Sequence, residues 1–121
     1  LYVLAEQHHR LLKLSNSVEY AICDGSFLLG YIHCKKNGFY NHKLIKELLL
    51  DIFNSYENFN YLLPREKKFY IRSGRKESLK EAIKLDKKLS QLFHKKKIVY
   101  KTVSFDNAIP IILQDIRQMN N

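Results

Sequence analysis

Three short β-prone runs, at 18–23, 58–63 and 98–103, alternate with segments whose apolar residues recur at helical spacing. That alternation restricts the fold more than any other feature of the chain. The first run, Val18-Glu19-Tyr20-Ala21-Ile22-Cys23, is short for a helix, and its Val, Tyr and Ile suit a half- or fully buried strand. Strands separated by helices are joined by crossovers and pair in parallel, which predicts a layered α/β architecture.

The helical segments are marked by their apolar spacing and their ends. Residues 1–14 place Leu1, Leu4, Ala5, Leu11, Leu12 and Leu14 among polar interruptions, and Ser15-Asn16-Ser17 closes the segment. Ser26 is the expected cap of a second helix, 27–34, apolar nearly all round and hence expected to be buried. After a turn at Lys35-Lys36-Asn37-Gly38, Asn41 is expected to cap a third helix reaching 55. Leu44, Ile45, Leu48, Leu49, Ile52 and Phe53 give that helix a broad apolar face. Pro64 stops the second strand, and 65–76 has no period and reads as a loop. Glu77 or Ser78 opens a helix to 94, with Leu79, Ala82, Ile83, Leu89, Leu92 and Phe93 on one side. A last helix, 106–119, tolerates Pro110 only in its first turn. No repeat or linker divides the chain, so a single domain over 1–121 is expected.

Charge is the second constraint. Residues 65–101 hold fourteen Lys and Arg against four Asp and Glu, whereas the rest holds seven against eight. The basicity is therefore local, and it invites an anionic partner: nucleotide phosphates, nucleic acid or an acidic surface. No apolar run approaches the roughly 18–20 residues of a membrane span, and no secretory signal opens the chain, so no membrane partner is expected. Cys23 and Cys34 lack CxxC spacing, which suits two reduced thiols in a cytoplasmic protein.

Three groups of residues are candidates for chemistry. Asp24 follows the first β-prone run, with Gly25 and Ser26 behind it. A carboxylate past the carboxyl end of a strand can organise Mg²⁺ or accept a proton, or it can simply cap the next turn. Arg65, Arg72 and Arg75 lie within eleven residues, with Gly74 as a hinge. They suit either a lid closing on a polyphosphate or a solvated basic loop. Gln7 and Arg10 share a helix face, fit to read a base edge and hold a phosphate, or to be ordinary surface. The histidines offer no metal-ligand spacing. The cluster of Lys87, Lys88, Lys95, Lys96, Lys97 and Lys101 reads as a nucleic-acid patch or as a solvated helix end that complements the macrodipole.

These residues also resemble a known family. The stretch from Leu1 to Arg10, followed by Val18 to Ser26, is similar to the middle of P-loop nucleotide-kinase-like ATPases. That family is grouped with the AAA proteins, is common in phages and bacteria, and is related to the ribosylnicotinamide kinase domain. Arg65, Tyr70, Gly74-Arg75, Glu81-Ala82 and Asp86 resemble its lid loop and following helix. The resemblance implies a three-layer α/β/α, P-loop NTPase-like fold and phosphoryl transfer from ATP with Mg²⁺ to a small-molecule acceptor. Asp24 would then be catalytic, organising Mg²⁺ indirectly or activating the acceptor hydroxyl. Gln7, Arg10 and Ser26 would face the acceptor, and Arg65, Arg72 and Arg75 would form the phosphate-binding lid.

Two departures qualify the match. Gly25 stands where many relatives carry Ser or Arg, and no GxxxxGK[ST] phosphate loop occurs. The expectation is thus the C-terminal portion of a nucleoside- or nucleotide-kinase type phosphotransferase, without its Walker A loop and first strand, and inactive as it stands. The alternative is a non-enzymatic nucleic-acid-binding α/β module using 65–101.

Overall fold

The computed structural model describes residues 2–36, 42–65 and 78–120. They fall into two units, 1–58 and 59–121. The expected Asn41 cap lies outside the described residues.

The first unit is helical: α1 (Tyr2–Leu14), α2 (Phe27–Lys36) and α3 (His42–Asn54). α2 begins where Ser26 predicts, because the Ser26 Oγ accepts the Leu28 N–H at 3.1 Å and satisfies one of the donors a helix start leaves open. Phe27, Leu28 and Ile32 of α2 pack with Ile45, Leu49 and Phe53 of α3, and Leu28 is wholly buried. Ile45, Leu49 and Phe53 recur every four residues, so the buried stripe of α3 is narrower than its apolar sequence suggests. Leu44 and Leu48 stand 64% and 57% exposed.

α1 lies on α2 less deeply, with no buried residue of its own. Leu4 packs against the backbone of Gly30, where any Cβ would collide with it. One turn on, the His8 ring meets Phe27 edge-on at 6.4 Å. Since 4 faces 30 and 8 faces 27, the two helices run in opposite directions. α1 ends in a turn with Asn16 at φ 68°, a left-handed conformation that Asn tolerates.

The second unit holds β1 (Tyr61–Leu62), α3's successor α4 (Leu79–Lys95), β2 (Lys101–Thr102) and α5 (Ala108–Met119), with a 3₁₀ turn at Phe105–Asn107. β1 and β2 are parallel, Tyr61 opposite Lys101 and Leu62 opposite Thr102. α4 is thus the crossover of a small βαβ unit, as strands separated by a helix require. Ala82, Leu85, Leu92 and Phe93 form the buried face of α4, joined in the core by Val103 and Ala108. Ile83, expected on that face, is 53% exposed. Pro110 sits in the first turn of α5, where its missing N–H costs no helical bond.

The three-layer α/β/α, P-loop-like fold is therefore not the fold observed. The described residues are mostly helical, and their sheet has two strands of two residues each. The run at 18–23 forms no strand; it is irregular and exposed, with Ile22 83% accessible. β propensity reflects a pleated surface packed against neighbours, and a strand needs a partner for its N–H and C=O groups. No strand occurs among the described residues of the first unit, so the peptide groups of 18–23 have no ladder to join.

Candidate functional site

In the first unit, Asp24 lies in the bend just before the Ser26 cap, exposed to solvent and at the end of no strand. Ser26 is half-buried, and its hydroxyl oxygen serves the α2 N-terminus. Gln7 is half-buried on α1. The opposed packing of α1 and α2 carries the turn with Gln7 toward the N-terminal end of α2, where Asp24 and Ser26 stand. Arg10 is exposed, and its guanidinium donates to Glu6 Oε1 at 3.2 and 3.3 Å. Hydrogen bonds from Tyr2 and then Arg10 hold the Glu6 carboxyl below its usual range.

His8, weighed in the sequence only as a metal ligand, also belongs to this region. Its ring packs on Phe27, and its Nδ1 is buried without a hydrogen-bond partner. Such orphaned atoms are uncommon in folded proteins. The available signal was position: His8 follows Leu4 by four residues on the half-buried stripe of α1.

In the second unit, Arg65 donates from Nε to Asp86 Oδ2 at 2.6 Å, both side chains about one-third exposed. The guanidinium is thereby anchored to α4. Arg72 and Arg75 lie outside the described residues.

The second unit also contains a polar cluster with no motif in the sequence. Tyr61 of β1 and Lys101 of β2 both donate to Asp115 Oδ2 of α5, at 2.7 and 2.8 Å. Burial, then the bond to Asp115, pushes the Tyr61 phenol up to about 12. Lys101 first, then Tyr61, holds the Asp115 carboxyl below its ordinary value. A phenol kept protonated and a carboxylate kept ionised form a clamp between strands and helix rather than an acid–base pair.

Among the described residues no group of three or more His, Cys, Asp and Glu is placed to hold a metal ion. Mg²⁺ is commonly held by one or two carboxylates, with substrate phosphates and waters completing its shell. A lone exposed Asp24 fits such an indirect hold only. The sequence has no phosphate-cradling GxxxxGK[ST], and of the three lid arginines Arg65, the one among the described residues, is engaged with Asp86. Among the described residues no helix is long and apolar enough to cross a membrane. The chain matches no protein-family profile, no curated protein and no solved structure.

Proposed function

We propose that this chain supplies the acceptor side of a nucleotide-dependent phosphotransferase of the nucleoside- or nucleotide-kinase type, working in the cytoplasm. The observation that carries the reading is the opposed packing of α1 on α2. It sets the turn of α1 that holds Gln7 and His8 against the first turn of α2, where the His8 ring meets Phe27 next to the Ser26 cap. Gln7 precedes Asp24 by 17 positions in the sequence, and these two and Ser26 are residues that the kinase resemblance assigns to the acceptor side. The reading does not rest on a P-loop fold.

In this assignment the exposed Asp24 carboxylate accepts the hydrogen of an acceptor hydroxyl and raises its nucleophilicity. The Gln7 amide offers a donor and an acceptor to a base edge. Arg10 turns from Glu6 toward an acceptor phosphate, a modest rearrangement because an exposed ion pair is weak. ATP and Mg²⁺ belong to the complete reaction, for which the sequence itself holds no GxxxxGK[ST] cradle.

Binding of a panel of nucleosides and nucleoside monophosphates to the 121-residue chain tests the assignment. Saturable binding is expected. Asp24→Ala or Gln7→Ala should weaken it by roughly 10-fold or more, the scale of a hydrogen bond to a charged group. No saturable binding across the panel, or binding that neither substitution alters, overturns the reading.

A further inference from the structure

The outer face of α4 carries an exposed stripe of four lysines, with Gln91 and His94 among them. Lys80, Lys84, Lys87, Gln91, His94 and Lys95 recur at spacings of four, three, four, three and one, and all are exposed. At 100° per residue these positions share one side of the helix, opposite the buried Ala82, Leu85, Leu92 and Phe93. The acids of α4, Glu81 and Asp86, lie off the stripe, and Asp86 is held by Arg65. At 1.5 Å per residue the stripe runs about 22 Å.

At its C-terminal end the stripe meets a shallow depression of about 330 Å³, lined by Lys87, Ser90, Gln91, His94 and Tyr100. Tyr100 is half-buried and rests edge-on against Phe93, ring centres 5.6 Å apart, which fixes its ring beside the lysines. In the sequence this aromatic follows the lysine cluster without interleaving. The turn after α4 folds it back.

We infer that this face binds single-stranded nucleic acid, lysines along the stripe neutralising successive phosphates and Tyr100 stacking one base in the depression. Sequence-tolerant single-strand sites combine these two features, a basic track and an aromatic platform. Gln91 and Ser90 supply hydrogen-bonding groups beside the stacked base. A duplex does not suit the site, because its bases are already stacked and Tyr100 has no exposed face to meet. The inference is independent of the acceptor-side assignment, whose residues lie in the other unit.

Fluorescence anisotropy with labelled single strands of about fifteen nucleotides, a length within known single-strand site sizes, tests the inference on the full chain. Affinity should fall steeply between about 50 mM and about 200 mM salt, with a log–log slope near −0.7 per phosphate neutralised. Replacing Lys80, Lys84, Lys87 and Lys95 together by Gln should flatten that slope by about 3. Tyr100→Leu should weaken binding about 5-fold or more at unchanged slope, and Tyr100→Phe should restore it. Should Tyr100→Leu fail to fold, photocrosslinking of a bromouracil oligomer to the unsubstituted chain gives the second readout, with the adduct expected on Tyr100. Absent binding at low salt, a slope indifferent to the four lysines, equal binding of a duplex or inorganic polyphosphate, or adducts only elsewhere would overturn it. Asp24→Ala should leave strand binding unchanged.

Discussion

The Tyr61 hydroxyl donates to the Asp115 carboxylate at 2.7 Å, across 54 positions of sequence. The same carboxylate oxygen receives Lys101, the residue opposite Tyr61 in the parallel ladder. One acid, 15% exposed, thus ties the paired strands to the last helix. With strands of only two residues each, this clamp adds specificity that so short a ladder lacks.

The clamp predicts a two-sided pH dependence. Tyr61 is raised in the folded state, so its contribution to stability is complete below the ordinary tyrosine value of about 10. It is lost as pH rises through about 12. Asp115 is depressed, so its contribution is present above about 3.9 and is lost as pH falls through its lower folded value. Tyrosinate absorbance should show one of the eight tyrosines titrating near 12, and Tyr61→Phe should remove that step. An unchanged titration curve in Tyr61→Phe would refute the clamp.

The C-terminus of α4 predicts a stabilising substitution. Ile98 N–H bonds to Phe93 O at 2.8 Å and Lys97 N–H to His94 O at 3.2 Å, the Schellman pattern, with Lys97 at φ 56°. A side chain in that conformation costs about 1–2 kcal/mol relative to glycine. Lys97→Gly should therefore raise unfolding free energy by about 1 kcal/mol in urea titration. Lys96→Gly, at a residue with φ −94°, should give no such gain.

Ser26 and Asp24 separate structural from functional roles. Ser26→Ala should cost about 0.5–2 kcal/mol through the lost cap. Asp24→Ala, at an exposed residue, should change stability by less than about 0.5 kcal/mol. Chemical denaturation of both variants checks this, and a large loss for Asp24→Ala would make that residue structural.

The narrow buried stripe of α3 gives a packing test. Leu49→Ala should destabilise the first unit by about 2–5 kcal/mol, whereas Leu48→Ala, one position earlier and 57% exposed, should cost far less. Similar losses at both positions would mean that the face is buried as broadly as its composition suggests.

The helices were legible in the sequence. Their apolar spacing, the Ser26 cap, Ser78 accepting the Glu81 N–H, and Pro110 confined to a first turn are local facts, governed by residues within four positions of each other. The parallel orientation of the second and third β-prone runs was also legible, from the helix between them, but not that these two are the runs that pair. Local chemistry cannot say whether a β-prone run joins a sheet, and among the described residues 18–23 joins none. Asp24 accordingly stands at a helix entry rather than at a strand end.

What the sequence by itself determined is the helical framework, the separation of charge into 65–101, and the absence of a GxxxxGK[ST] loop. Tertiary structure alone decided which apolar faces are covered, so that Leu49 is buried and Leu48 is not. It also decided the meeting of Tyr61, Lys101 and Asp115, and the seating of Tyr100 beside Lys87 and His94. Helical periodicity is set by hydrogen bonds four residues apart and is written in every turn. Strand pairing and side-chain clusters join distant residues, whose encounter is settled only when competing partners have been satisfied or left to water.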